Sequence, residues 1–304
     1  MPVVPITAEE PTEARLEIAY EVIGPPLGTA DPFLLIMGLG SQLVMWPDGL
    51  CEQLAALGHP VIRFDNRDVG HSTRLDHLAP PPLWKLGPAV LTGRDPGAPY
   101  LLSHMAGDAV GLLDALDVPR AHLVGVSMGG MIAQLEAIHH PARVASLTSI
   151  MSTPGNLAAG LPRPAALRAL IARPANPTPD AVVEQLVTTF RAIGSRTFPT
   201  PREDLARVAR LSLERGVSGR GFARQLAAIA GSPDRTEALH GVVAPTLVLH
   251  GTEDPLVRPR GGRLTAEAIP GAELVLLEGM GHDLPRPLWP TMVDHIAGVA
   301  LRAG

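Results

Sequence analysis

The feature that most constrains this chain is Gly125-Val126-Ser127-Met128-Gly129, at the end of an apolar run and directly ahead of a helical pattern. A serine lifted out of a tight strand-to-helix turn sits in a strained backbone conformation. It needs neighbours without side chains two residues to either side, here Gly125 and Gly129. Residues 121–126 read as a buried strand, and Met131, Leu135 and Ile138 share one face of a helix ending near His140-Pro141. Glycine and serine are common in turns, so the pattern draws its weight from this context. Strand, turn and helix in that order present the Ser127 hydroxyl at a helix N-terminus, where backbone N–H groups and the helix dipole favour negative charge. Ser127 is therefore the candidate nucleophile.

The rest of the chain repeats the strand-then-helix rhythm. Residues 33–37 form a continuous apolar run of the kind that is buried on both faces, and it stops at Gly38-Leu39-Gly40-Ser41. Further strands are expected at residues 14–23, 60–64, 144–151, 245–250 and 274–277, with amphipathic helices between most of them. Such alternation implies a mostly parallel central sheet flanked by helices, with sites beyond the strand C-termini. Residues 73–100 break the rhythm as a long proline-rich loop. In a compact domain a loop of that length is more often functional than idle.

Residues 154–240 differ from everything around them, because the strand signal disappears and several helices follow one another. Thr178-Pro179-Asp180 opens one carrying Val182, Leu186 and Phe190. Thr200-Pro201-Arg202-Glu203 reads as a capping box opening a second, and Phe222, Leu226 and Ile229 mark a third. The block reads as a helical cap inserted into a core domain made of residues 1–153 and 241–304. Its arginines, Arg202, Arg207, Arg210, Arg215, Arg220 and Arg224, alternate with acidic residues and read as a solvated face.

Composition narrows the class. The 304 residues carry 25 basic and 30 acidic side chains, a net charge of −5, which leaves no electrostatic footprint for nucleic acid or an anionic membrane. The N-terminal ten residues lack the basic and apolar regions of a signal peptide, and no apolar span is long enough for a bilayer. The lone Cys51 reads as a small buried hydrophobe in a reducing compartment, and the expected location is cytoplasmic.

Two later strand ends carry Asp254, in Gly251-Thr252-Glu253-Asp254-Pro255, and His282, in Glu278-Gly279-Met280-Gly281-His282. With Ser127 they give the order nucleophile, acid, base. Together with the turn Asp65-Asn66-Arg67-Asp68-Val69-Gly70-His71-Ser72, these motifs make the chain resemble the α/β-hydrolase superfamily over nearly its whole length. Within it the chain resembles the compact bacterial serine esterases that include the aclacinomycin methylesterase group.

The resemblance implies an α/β-hydrolase fold and a catalytic set of Ser127, Asp254 and His282, selecting Asp254 over its neighbours Glu253 and Asp283. It also implies an oxyanion hole made by the backbone N–H groups of Leu39 and Met128. Many relatives have His-Gly where this chain has Met37-Gly38, so a brace for that loop is missing. The expected activity is hydrolysis of small or medium uncharged carboxylic esters through an acyl-enzyme on Ser127, with no cofactor and no metal.

Hydrolysis of C–C or amide bonds and perhydrolysis use the same residues. A non-catalytic ligand-binding protein on this fold is the other class considered. Dehalogenation is disfavoured, since it needs a carboxylate where Ser127 stands. His139 and His140 read as helix-end residues, His71 as a loop brace, and Trp46, Trp84 and Trp289 as packing. Trp84, from its place in the long loop, is also a candidate for lining the pocket, as are Leu186 and Phe190.

Asp254→Asn is expected to lower kcat by up to about 10⁴-fold by favouring the wrong imidazole tautomer. A near-silent Asp254→Asn beside an inactive Glu253→Gln or Asp283→Asn would reassign the acid.

Overall fold

Strict alternation within the central strands lets one sheet serve two cores. Phe33 and Leu35 pack on one side, and Leu34 and Ile36 on the other. The computed structural model describes residues 1–7 and 15–303. In chain order the elements begin with β1 (Val3–Thr7), β2 (Arg15–Ile23), β3 (Phe33–Ile36), α1 (Asp48–Ala55) and β4 (Val61–Phe64). They continue with α2 (Leu86–Thr92), α3 (Leu102–Ala115), β5 (Ala121–Val126), α4 (Met128–His139) and β6 (Val144–Ile150).

Five helices follow without a strand: α5 (Pro164–Ile171), α6 (Pro179–Ile193), α7 (Arg202–Glu214), α8 (Gly219–Gly231) and α9 (Thr236–Leu239). The chain then completes the sheet with β7 (Thr246–Gly251), α10 (Pro259–Ala268), β8 (Glu273–Leu277) and α11 (Trp289–Leu301).

The eight strands lie in the order β1-β2-β4-β3-β5-β6-β7-β8. β2 runs antiparallel to both β1 and β4, and from β4 to β8 every pairing is parallel. Buried side chains of α3 and α4 fill the core on one face, while those of α1 and α11 fill the other. Cys51 is in the second core, where burial pushes its thiol up to about 12. Trp46 is buried there too, and Trp289 packs against it. Among the described residues no helix is long and apolar enough to cross a membrane.

Several local expectations are corrected. β1 was not anticipated, and it carries Pro5 within it. As an edge strand it has one row of N–H groups without partners, so a proline is tolerated. The strand expected at residues 14–23 is β2, and Ala14 itself lies outside the described residues, as do Ala8, Glu9 and Glu10. The stretch 73–100 is not wholly loop, since α2 lies within it and packs on α8 through Leu86, Ala89 and Ala227.

Thr178 caps α6 as its sequence suggests, accepting a bond from Ala181 N at 3.3 Å. The capping box at Thr200 does not form. The α7 helix starts at Arg202 with Pro201 as its cap residue, and no side chain bonds the first turn.

The arginines of the helical block do not share one solvated face. Arg202 pairs with Glu184 at the surface, but Arg215 reaches Asp65 at 2.6 Å. Arg224 is fully buried against Asp68, with Nη2–Oδ1 at 2.6 Å and Nε–Oδ2 at 2.8 Å. The acidic turn after β4 supplied the clue, since buried carboxylates require cations. His71 contributes to that turn through its backbone, its N–H donating to Asp65 Oδ2 at 2.9 Å while its ring is exposed.

Glu136 on α4 is fully buried, and neither carboxylate oxygen meets a partner among the described residues. Burial pushes its carboxyl from the ordinary 4.5 up to about 8. The folded chain therefore holds a proton that the unfolded chain releases over that interval. Stability is complete below about 4.5 and declines as pH rises to about 8. Glu136→Gln is expected to melt above wild type at pH 8, with the gap closing toward pH 5. Thermal unfolding across that range checks it, and parallel pH slopes for the two proteins would contradict it.

Candidate active site

The elbow at the end of β5 is fixed by contact between backbones. A Cβ at Gly125 would overlap the carbonyl of Gly129 and come within 2.7 Å of Gly130 Cα. One at Gly129 would overlap the Ile36 carbonyl. Between them Ser127 adopts φ 57° and ψ −119°, a conformation an L residue holds only when its surroundings enforce it. Its N–H donates to Ile150 O at 2.9 Å, and its carbonyl accepts from Gly130 N, Met131 N and Ser152 Oγ. The side chain is thus presented by a backbone bonded on every side.

Asp254 and His282 arrive from loops after β7 and β8, which are held together because Gly251 has no side chain. A Cβ there would lie 2.6 Å from the Met280 carbonyl carbon. His282 Nδ1 is 2.7 Å from Asp254 Oδ2, and His282 Nε2 is 3.0 Å from Ser127 Oγ. The second oxygen of Asp254 accepts from Leu256 N at 2.8 Å and Val257 N at 2.9 Å, so the carboxylate cannot rotate away from the ring.

The neighbouring acids go elsewhere. Glu253 is exposed, and Asp283 accepts from Ser195 N at 3.0 Å and Ser195 Oγ at 2.5 Å. Burial raises the Asp283 carboxyl above its ordinary value, against the lowering effect of those two bonds. Ser195 Oγ also accepts from Gly281 N at 2.8 Å, and His282 N donates to Ile193 O at 2.8 Å. The loop carrying His282 is therefore bonded to the C-terminal end of α6. His250, in β7 four residues before Asp254, is buried with Nε2 2.9 Å from Val257 O and 3.6 Å from Asp254 Oδ2, and burial holds its imidazole below the usual range.

The loop after β3 completes the setting. A Cβ on Gly38 would stand 3.2 Å from Ser127 Cβ, so this backbone lies against the serine. Among the described residues the N–H groups of Leu39 and Met128 donate to no protein acceptor.

A cleft of about 2600 Å³ opens over Ser127 and His282, lined by Leu186 and Phe190 of α6, Phe222 and Leu226 of α8, and Leu86 and Val90 of α2. Trp84 is not part of it. In the short turn Leu83–Lys85 it is 73% exposed, with the Lys85 ammonium 5.7 Å from its ring centre, while Leu83 and Leu86 face the cleft. Among the described residues no group of three or more His, Cys, Asp or Glu side chains could hold a metal ion.

Residues 31–285 match the family described as alpha/beta hydrolase fold. The chain belongs to that family. This hydrolase is 31% identical over 295 residues to the rhodomycin D methylesterase DauP of a Streptomyces species, covering 90% of this chain and 91% of that one. It is 30% identical, with the same coverage, to the rhodomycin D methylesterase DnrP of Streptomyces peucetius. Among solved structures it is similar to the esterase RhEst1 from Rhodococcus sp., with a TM-score of 0.73, 22% identity and 100% of both chains covered. A thermophilic esterase from Thermogutta terrifontis gives a TM-score of 0.72 at 23% identity, covering 99% of this chain and 100% of that one. These two likenesses concern the fold.

The polar contacts that join the helical block to the core were not legible in the sequence. Gln225 and Ser195 each bond a loop that adjoins Ser127 or carries His282, yet neither stands in a motif, whereas Asn66, which bonds Met37 O, lies inside the polar turn of residues 65–72 with nothing there to mark its partner. The nearest signal was α8, where Arg224 and Gln225 interrupt a face of small residues, Gly221, Ala227 and Ala228, that allows close approach to the core.

Proposed function

We propose that the hydrolase is a serine carboxylic-ester hydrolase that forms an acyl-enzyme on Ser127. The reading rests on the unbroken hydrogen-bond chain from Ser127 Oγ through His282 to Asp254 Oδ2, at 3.0 and 2.7 Å. The two methylesterase relatives support it independently.

In this reading the Ser127 hydroxyl donates to His282 Nε2, which takes the proton as Oγ attacks the ester carbonyl. The Nδ1–H of the ring donates to Asp254, which fixes the tautomer and stabilises the imidazolium. The Leu39 and Met128 N–H groups receive the oxyanion, a contribution of about 3–4 kcal/mol per donor in other hydrolases. Collapse of the tetrahedral intermediate expels the alcohol, protonated by His282. Water then takes the alcohol's place, His282 removes its proton, and a second collapse releases the acid and restores Ser127.

The helical block of residues 154–240 serves as the cap, its inner faces forming an apolar roof. Binding pockets for small molecules usually measure about 300–1,000 Å³. A cleft of about 2600 Å³ leaves room for a bulky acyl part, and the apolar side chains of its roof suit an uncharged one. A small alcohol such as methanol suits a leaving group that must depart beneath the roof, in keeping with the names of the relatives.

Ser127→Ala is expected to abolish turnover of an activated ester while leaving the fold intact. A serine-directed phosphonate should label wild type at Ser127 by mass spectrometry. Retention of more than about a hundredth of wild-type activity would place the nucleophile elsewhere. Truncating Leu186 and Phe190 together to Ala should shift selectivity across a series of methyl esters of increasing acyl bulk. An unchanged profile, or preference for a charged acyl group, would refute an apolar roof.

A further inference from the structure

The backbone that supplies the Leu39 N–H is held at three consecutive peptide units. The carbonyl of Met37 accepts from Asn66 Nδ2 at 3.0 Å. The carbonyl of Gly38, in the same peptide as the Leu39 N–H, accepts from Ser41 N at 3.1 Å. The N–H of Gly40 donates to Gln225 Oε1 at 2.7 Å. Two of these bonds come from the core itself. The third crosses 185 residues of sequence from α8.

Gln225 is itself immobile. Its Nε2 donates to Arg67 O at 2.7 Å, and it is fully buried. Both partners are backbone groups of fixed polarity, so the amide has one orientation. A primary amide is also the side chain that can accept from one and donate to the other. On one side stands Arg224, bidentate to the buried Asp68. One turn earlier, Phe222 lies against Gly40, where a Cβ would meet the ring at 3.4 Å or less and where φ is +65°. The Gly40 N–H is spent on Gln225, so it cannot compete for an oxyanion, and the peptide plane after Leu39 cannot turn.

We propose that Gln225 is a positioning residue for the oxyanion loop, setting the direction of the Leu39 N–H from the helical block. The proposal rests on the serine-hydrolase reading above. A donor aimed at developing charge contributes to the transition state far more than to the bound substrate. Loss of the brace is therefore read in kcat and not in KM.

The test compares wild type with Gln225→Met, which keeps the volume and loses both polar bonds, and with Gln225→Glu, whose protonated carboxyl keeps the acceptor for Gly40 N–H and a donor for Arg67 O. For Gln225→Met, kcat on an activated methyl ester is expected to fall about 10- to 100-fold, as misalignment of about an ångström can produce. KM should move less than about twofold on the same differential-binding argument. Affinity for a boronic acid that forms a tetrahedral adduct on Ser127 should fall by the same factor as kcat. Affinity for the carboxylic acid product should stay level, and Gln225→Glu should recover most of the lost kcat.

A folded Gln225→Met with wild-type kcat would overturn the proposal. So would equal losses in adduct and product binding, which signify general damage to the pocket. If Gln225→Met does not fold, Gln225→Glu decides: near-wild-type kcat supports the proposal, and a folded but inactive protein overturns it. Activity surviving in Ser127→Ala would instead bring down the underlying reading, whatever Gln225 does.

Discussion

The ion pair between Asp68 and Arg224 is the interaction on which the upper half of the molecule depends. Both side chains are completely excluded from solvent. Asp68 sits at φ 74°, accepts from Leu75 N at 2.9 Å and from Tyr100 OH at 2.6 Å, and is thereby saturated. Removing one member of such a pair leaves an uncompensated buried charge, a cost of about 3–5 kcal/mol. The pair ties α8 to the turn after β4. The same helix brings Phe222 over Gly40 and Gln225 onto the Gly40 N–H. Arg215 on Asp65 and Gln42 on the carbonyls of Ser212 and Gly216 extend the same seam along the end of α7.

Below the seam the site is governed by backbone. Gly125, Gly129 and Gly251 each occupy a place where another chain segment passes too close for a Cβ. The sheet order sets the ends of β3, β5, β7 and β8 along one edge, and the bare glycines let the loops beyond them close on one another. Side chains then need to travel only a short way, so the Ser127, His282 and Asp254 contacts are made with well-directed bonds rather than long reaches.

The division between what the sequence disclosed and what it hid follows a physical line. Strands β3 to β7 were legible because burial on both faces leaves mostly apolar runs, and β8, at the sheet's other edge, because Leu274 to Leu277 are all apolar. The elbow was legible because steric exclusion of a Cβ dictates glycine at fixed offsets. Ser127, Asp254 and His282 could be named because each stands just past a strand end in a short motif. β1 escaped because an edge strand has no such demand on its composition. Arg224 escaped because, along a helix, a buried guanidinium and a solvated one have the same letter, and only its partner 156 residues away distinguishes them. Gln225 was hidden for the same reason, and Asn66, although inside the 65–72 turn, because nothing in that turn names Met37 O as its partner. Trp84 is neither packed nor in the cleft, since in the short turn Leu83–Lys85 it is Leu83 that borders the cleft and Trp84 that faces solvent.

The two sides of α8 differ in a way that bears on how such a protein can diversify. One side, with Arg224, Gln225, Ala227 and Ala228, is wholly engaged with the core. The other, with Phe222, Leu226 and Ile229, borders open space in the cleft. Substitutions on the open side alter the shape offered to a guest molecule without disturbing the polar seam, whereas those on the closed side disturb both. Exchanging a handful of apolar positions would therefore reshape the space for a guest while the remainder of the helix kept its contacts with the core. A single helix thus carries a surface free to change shape and one bound in place, about half a turn apart.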